Sequence, residues 1–362
     1  MPKKRVAVAM SSGVDSSVAA AILKNQGYQV FGITILLNSD YCNKAAEPVK
    51  RVADILDIPH YIMDFGEPFS QKVITPFCNE YGRGRTPNPC VNCNYYVKFG
   101  TLLNQARELG ADFMATGHYA RIEPYPEDYK LLRGIDRNKD QSYFLYKLDQ
   151  EQLKHLLLPI GHLNKTEVNR MATELGLSYA VRHESQDICF IPDNNLHSFI
   201  SRHIPCQPGD IIDTESIALG RHKGIAYYTI GQRQGLGLAS DRRLYVIKLD
   251  AENNRLVVGR QDQLFTSRLS ASQISWISGK APEDTDSITA KVRYKSPEVA
   301  VNLTLYNNSA EARFARPQRA IAPGQSIVFY QGEVVLGGGI IEYSEPAESD
   351  EPDKSSIHAI LC

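Results

Sequence analysis

No stretch of this chain is long or apolar enough to cross a membrane as a helix. The first apolar run, Val6–Met10, follows Lys3, Lys4 and Arg5 but spans only five residues, too few for the apolar region of a signal peptide. The expectation is a cytoplasmic protein. An excess of charge of one sign is also missing, with 40 Lys and Arg against 41 Asp and Glu and a formal net charge of −1. Bulk charge therefore neither requires nor excludes a polyanionic partner, and any nucleic-acid surface has to be a local basic patch. No internal repeat and no heptad run is present, so a solenoid or coiled coil is not the answer. The seven cysteines (Cys42, Cys78, Cys90, Cys93, Cys189, Cys206, Cys362) form an odd set without an export signal. That disfavours a disulfide framework and leaves metal binding or catalysis to weigh.

What is present is 362 residues of ordinary globular composition, enough for two or three domains. Up to about residue 200, short apolar runs (Val6–Met10, Val30–Leu37, His60–Asp64, Phe113–Thr116) alternate with helical patterns (Ser16–Gln26, Glu47–Leu56, Phe99–Leu109). Such alternation predicts a parallel sheet covered on both faces, with ligands at the carboxyl ends of its strands. After about residue 205 the chain turns glycine-rich, in "GRHKGIAYYTIGQRQGLGL", and is followed by the strand-like "RLYVIKLD" and "NRLVVGR". From about 287, five closely spaced strand patterns (Ser287–Tyr294, Val299–Tyr306, Ala310–Ala315, Ser326–Gln331, Glu333–Leu336) suggest a small barrel or sandwich. The expected division is 1–205 for an α/β Rossmann-like domain, 206–270 for a small central β-rich domain, and 271–345 for a C-terminal β-barrel. Residues 346–362, acidic and Pro-rich, read as a mobile tail.

The stretch "VAVAMSSGVDSS" runs from strand through a loop of small residues into a helix. Ser11, Ser12, Gly13, Ser16 and Ser17 offer hydroxyls and open N–H groups, and the positive end of the helix points at the same spot. A Walker loop would place Lys after the glycine, and none is there. Asp15 would repel a γ-phosphate unless Mg²⁺ bridged it to pyrophosphate. The plain alternative is a strand–turn–helix with Ser16 or Asp15 as N-cap.

Two further segments carry thiols. "GRGRTPNPCVNCNYYVKFG" sets Cys90 and Cys93 after the rigid Pro87-Asn88-Pro89 turn, and "HESQDICFIP" sets Cys189 at a polar-to-apolar junction. Two distant cysteines suit a sulfur relay in which one carries a persulfide and the other attacks it, if a neighbour favours the thiolate. The alternatives are buried cysteines acting as small hydrophobes, or half of a zinc site completed by Cys78 or Cys42, although no second close Cys/His pair exists.

The "S-x-G-V-D-S-S" loop resembles the pyrophosphatase loop of ATP-dependent ligases and tRNA thiolases, which split ATP between the α and β phosphates; Ser12 stands where that loop usually has glycine. "RTPNPCVNCNYYVKFG", "FMATGHYAR", "KDQSYFLY", "LPIGHLNKTEVNRMA", "ESQDICFIP", "GRHKGIAYYTIGQRQGLGL", "KVRY" and "PGQSIVFYQGEVVLGGGIIE" together resemble the tRNA-specific 2-thiouridylases, which act on uridine 34 of the anticodon. The likeness runs from about residue 4 to about 343. It implies that Ala9, Met10, Ser11, Ser12, Gly13, Val14, Asp15 and Ser16 cradle ATP with Mg²⁺, that Ile35 lines the adenine pocket and that Gly117 closes it. It implies Cys93 as nucleophile and Cys189 as the persulfide carrier. Asn88, Pro89 and Cys90 would face the target base, and Lys139, Asp140, Gln141, Arg293, Tyr294, His118 and Gln325 would lie against the tRNA. Without the resemblance, Lys139 and Arg293 read as solvated charges and Tyr294 as a strand aromatic.

The chemistry fits that assignment. A uridine C2 carbonyl is a poor electrophile, and adenylating its oxygen supplies a leaving group for sulfur to displace. The base must leave its stack to react, which a flexible anticodon loop permits at low cost. One departure opens an alternative: many members have an acidic residue where this chain has Cys90. Cys90, Cys93 and Cys189 would then be candidate ligands of a [4Fe–4S] cluster with one iron open to sulfur. A metabolite ligase with the same ATP loop would need no paired cysteines, and no glutaminase-like segment is present to supply an amine. An ATP-sensing RNA-binding protein without chemistry is opposed by Asp15, Cys93 and Cys189 together. The sulfur donor is expected to be a cysteine desulfurase or a sulfur carrier protein, and the sequence selects neither.

Overall fold

In the computed structural model, residues 3–37, 39–177, 188–191, 193, 195–240 and 242–346 are described, without the side chains of 39–46 and 345–346. The expected mobile tail therefore lies, but for residue 346, outside the described residues, as do most of "HESQDICFIP", the Cys42 side chain and Cys362.

Alternation of apolar residues along the first strand decides the first layer. In β1 (Arg5–Ala9), Val6 and Val8 point to one side and Ala7 and Ala9 to the other, and each pair enters a different hydrophobic cluster. A strand buried on both faces needs cover on both, and the chain supplies it. β1 pairs in parallel with β2 (Gln29–Leu36) and β4 (Phe113–Ala115); β3 (His60–Asp64) and β7 (Leu156–Leu157) complete the order β3-β2-β1-β4-β7. Strand order reverses between β1 and β4, so the loop after β1 sits at the switch point where such sheets bind ligands. Helix α1 (Val14–Asn25) packs Val18, Ala19, Ala20 and Leu23 onto Val6 and Val8.

A hairpin of β5 (Ala120–Pro124) and β6 (Tyr129–Arg133) leaves this sheet and joins another. Residues 209–259 form a four-stranded sheet of β8 (Gly209–Ile212), β9 (Ala218–His222), β10 (Tyr245–Asp250) and β11 (Arg255–Gly259), in which β8 and β11 are parallel. The last unit is a closed ring of six strands: β12 (Phe265–Trp276), β13 (Thr289–Lys291), β14 (Val299–Leu305), β15 (Ser309–Arg319), β16 (Ser326–Gln331) and β17 (Val334–Pro346). The ring runs β12-β15-β14-β13-β16-β17 and closes by β12 pairing with β17. The barrel expected from five strands thus has a sixth, β12, which crosses the expected boundary at 270/271. Hairpin β5–β6 extends the barrel sheet through Leu132 opposite Val334.

The barrel is clamped to the first domain at several places. Arg85 donates to Glu80 and to Glu342 at 2.6 Å each, and Thr86 N–H donates to the Pro323 carbonyl at 2.8 Å. Gly324 lies so near Thr86 that a Cβ would sit 3.0 Å from its backbone nitrogen, and its φ of +89° also favours glycine. Tyr143 Oη donates to the Ser326 carbonyl at 2.8 Å and Gln150 to the Ile277 carbonyl at 2.8 Å. Among the described residues no helix is long and apolar enough to cross a membrane.

Candidate active site

The loop after β1 is built by its own serines. Ser11 N–H donates to Ser16 Oγ at 3.1 Å, Ser16 Oγ reaches the Ser11 and Gly13 carbonyls at 3.2 Å each, and Ser17 Oγ reaches the Gly13 carbonyl at 3.0 Å. α1 begins at Val14, two residues before the expected start, and Gly13 precedes it in an extended conformation with no side chain capping the first turn. The first N–H groups of α1 are thereby left without a side-chain acceptor. Neither Ser12 nor Gly13 has a positive φ, so serine in place of the usual glycine carries no strain. Met10 N–H is fixed by the Ile33 carbonyl at 2.8 Å, and Ile35 packs with Ala9 on the same face of the sheet.

Asp15 is held from two distant segments. Lys165 Nζ is 2.7 Å and Tyr119 Oη 2.8 Å from the same oxygen, Oδ1. Lys165 opens a helix (Lys165–Glu174) whose start is held by Glu167, its carboxylate accepting from Asn164 N–H at 2.7 Å, which fixes where the Lys165 side chain begins. Local motif reading missed Lys165 because its partner is 150 residues away. Its only signal was the absence of a lysine after Gly13. Gly117 presses on the other side of the loop: a Cβ there would lie 2.6 Å from Ser16 N and from the Asp15 carbonyl carbon.

The thiols meet next door. Cys93 is buried at the start of a π-helical stretch, Cys93–Leu102, whose wide turns set Cys93 and Lys98 one turn apart. Burial raises the Cys93 thiol to about 12; Lys98 pulls it back, and both Cys189 and Cys90 push it further up. Cys90 and Cys189 are open to solvent, yet each is surrounded by enough protein that desolvation raises its thiol, again opposed by Lys98. Lys98 is therefore the neighbour that favours the thiolates, but burial outweighs it in this arrangement. The same Lys98 and burial hold the His118 imidazole well below its ordinary value. His118 is inward-facing, with Nδ1 2.7 Å from Thr116 Oγ1.

Among the described residues no three His, Cys, Asp or Glu side chains are gathered so as to hold a metal ion. The zinc alternative also involves Cys42, whose side chain lies outside the described residues. Cys78 is buried with Phe77, Tyr81 and Phe199, and behaves as a small hydrophobe.

The segments expected at the RNA gather around Tyr143 and Phe144. Asn88 lies beside the Tyr143 hydroxyl, and Gln325 Nε2 donates to the Thr86 and Pro87 carbonyls at 2.8 and 3.2 Å. Tyr294 packs on Phe144 with ring centroids 4.5 Å apart. It lies in the turn after β13, closed by Ser296 N–H on the Arg293 carbonyl at 3.1 Å, rather than on the expected strand Ser287–Tyr294. Arg293 is exposed in that turn and Lys139 is half-buried. Gln141 is tied to Tyr119 by two hydrogen bonds. Asp140 is buried, accepting from Gly134 N–H and Ser142 N–H at 3.0 Å each and from Ser142 Oγ at 3.1 Å. Its carboxylate fixes the turn that carries Lys139 and Gln141.

Residues 4–193 match a family model described as the tRNA methyl transferase HUP domain, 197–260 the PRC-barrel domain of the same series, and 266–341 the aminomethyltransferase beta-barrel domain. The chain is 50% identical to tRNA-specific 2-thiouridylase MnmA 1 of Caldanaerobacter subterraneus subsp. tengcongensis, over 93% of this chain and 98% of that one. It is 45% identical to the tRNA-specific 2-thiouridylase MnmA of Clostridium beijerinckii, over 94% and 99%. The chain belongs to the tRNA-specific 2-thiouridylase family. The enzyme class of that family is tRNA sulfurtransferase. A solved 4-thiouridine synthetase–RNA complex with bound ATP matches 55% of this 2-thiouridylase-family chain and 50% of its own, at 17% identity and a TM-score of 0.34, too loose a likeness to carry an argument.

Proposed function

We propose that this protein adenylates the C2 oxygen of uridine 34 in tRNA with ATP and replaces that oxygen with sulfur carried on Cys189. The observation that carries the reading is the adjacency of Gly117 and His118. Gly117 abuts the Asp15–Ser16 peptide, while His118 lies in the field of the Lys98 that also acts on Cys90, Cys93 and Cys189. That adjacency supports the phosphate loop and the thiols serving one reaction.

The uncapped first turn of α1 and the Ser11–Ser17 loop would receive the ATP phosphates, with Lys165 neutralising charge as the α–β bond breaks. Asp15 has one oxygen outside its bonds to Lys165 and Tyr119, and that oxygen would hold a Mg²⁺ ion. The metal would supply charge neutralisation there. Attack of the uridine C2 oxygen on the α-phosphorus releases pyrophosphate and leaves an O-adenylate. The terminal sulfur of a Cys189 persulfide adds to C2, and AMP departs with the oxygen. The Cys93 thiolate then attacks Cys189 Sγ, forming a Cys93–Cys189 disulfide and leaving the bonding pair on the sulfur at C2. Reduction of that disulfide and a new persulfide from a donor protein, a cysteine desulfurase or a sulfur carrier, restore the start. Asn88, Pro89 and Cys90 would face the base, with Lys139, Gln141, Arg293, Tyr294 and Gln325 on the tRNA. We place the protein in the cytoplasm, where thiols stay reduced.

The test separates the two half-reactions. Cys189→Ser should form AMP and pyrophosphate from ATP with tRNA containing uridine 34, yet give no 2-thiouridine. Thiolation by that variant at the wild-type rate would overturn the role of Cys189.

A further inference from the structure

A cleft of about 430 Å³ opens between the first domain and the barrel, lined by Lys72, Asn92, Tyr96 and Lys147 on one side and Gln273 and Ser326 on the other. Its volume lies within the range of about 300–1,000 Å³ usual for small-ligand sites. Cys93, Cys189 and the loop at 10–16 do not line it, so it is not where the reacting base meets sulfur. Asn88 and Pro89 do line it, so it adjoins the turn assigned to the target base.

Lys147 has no hydrogen-bond or ion-pair partner among the described residues, although it is half-buried. Burial pulls its ammonium below the ordinary lysine value, and no charged neighbour restores it. A desolvated cation without a partner is costly, and an anion in the cleft would remove that cost. Tyr96 is 41% exposed, so its ring is open to a ligand in the cleft. Lys72 Nζ stands 5.7 Å from its ring centroid, and Tyr95 meets it edge-on at 4.8 Å. Glu80, the carboxylate in the lining, is already engaged by Arg85 at 2.6 Å and Arg83 at 3.5 Å, which leaves the cleft positive. An exposed aromatic between lysines is how proteins hold single-stranded nucleic acid.

We infer that this cleft is a subsite for the nucleotide next to the target uridine, with its phosphate on Lys147 and its base stacked on Tyr96. The inference rests on tRNA being the substrate. A protein partner offering acidic side chains would use the lysines but has no need of the exposed ring.

The test is binding of a fluorescent anticodon stem–loop RNA to the full chain at several salt concentrations. Lys147→Met should weaken binding about tenfold and lower the salt slope by about one, while Lys147→Arg holds near wild type. Tyr96→Ala should also cost about tenfold. Replacing the nucleotide on one side of uridine 34 by an abasic one should weaken wild-type binding to the same extent and weaken Tyr96→Ala no further. Wild-type binding by both variants, or an abasic cost equal in wild type and Tyr96→Ala, overturns the inference alone. Normal RNA binding with loss of sulfur uptake from a donor protein would assign the cleft to that donor and also overturn it. Failure of the wild type to bind the stem–loop overturns the tRNA reading and this inference together.

Discussion

Lys165 Nζ lies 2.7 Å from Asp15 Oδ1, joining the start of one helix to the first turn of another across 150 residues. The loop that lacks a lysine after its glycine receives one from elsewhere in the chain. The pair is mostly shielded from solvent, with side-chain exposures of 16% and 25%, so the ammonium is held beside the uncapped helix end.

Lys165→Met should therefore lower the rate of ATP cleavage by about 100-fold or more, the usual scale for losing a charge-stabilising group. Lys165→Arg should recover part of it. Single-turnover AMP formation measures both; a wild-type rate in Lys165→Met would remove Lys165 from the phosphate site.

Thiol reactivity should follow burial. Cys93 stands at about 12 against an unburied 9.0, so its alkylation in the free protein should stay slow at neutral pH and climb only above about pH 9. The same shift has a stability consequence: the contribution of the buried neutral thiol is complete below pH 9.0 and is lost as pH rises toward about 12. His118 has the opposite window. Its value is depressed from 6.5, so its contribution is complete above that pH and is lost on acidification. Melting temperature against pH should fall less steeply below pH 6.5 in His118→Gln than in wild type.

Gln325→Ala should loosen the turn that carries Asn88 and Cys90, because its amide is bonded to the carbonyls of both Thr86 and Pro87. Two such bonds contribute about 1–2 kcal/mol. The KM for tRNA should rise roughly tenfold, read from initial rates of thiolation; an unchanged KM would mean that Arg85 and Thr86 hold the turn alone.

The alternation of the first sheet and the SSGVDSS loop could be read from the chain because both are local: period-two apolar residues make β1, and small residues before a helix make the loop. What escaped notice depends on distant pairing. β12 (FTSRLSASQISW) has many serines and few large apolar residues, and only closure against β15 and β17 makes it a strand. The β5–β6 hairpin gave no sign that it would extend a barrel formed 130 residues later. Lys165 sits in an ordinary helix start, and nothing local announced the three bonds that Asp140 accepts from Gly134 and Ser142. The π-helical turn at Cys93–Leu102, which aligns Cys93 with Lys98, has no sequence period of its own.

The most direct measurement combines the full chain, ATP, Mg²⁺, a sulfur source and an anticodon-bearing tRNA transcript, with thiolated product resolved on a thione-retarding gel. A retarded band that requires ATP, uridine 34, Cys93 and Cys189 together is the predicted result. A retarded band from the Cys93→Ser or Cys189→Ser protein, or none from the wild type, would contradict the account.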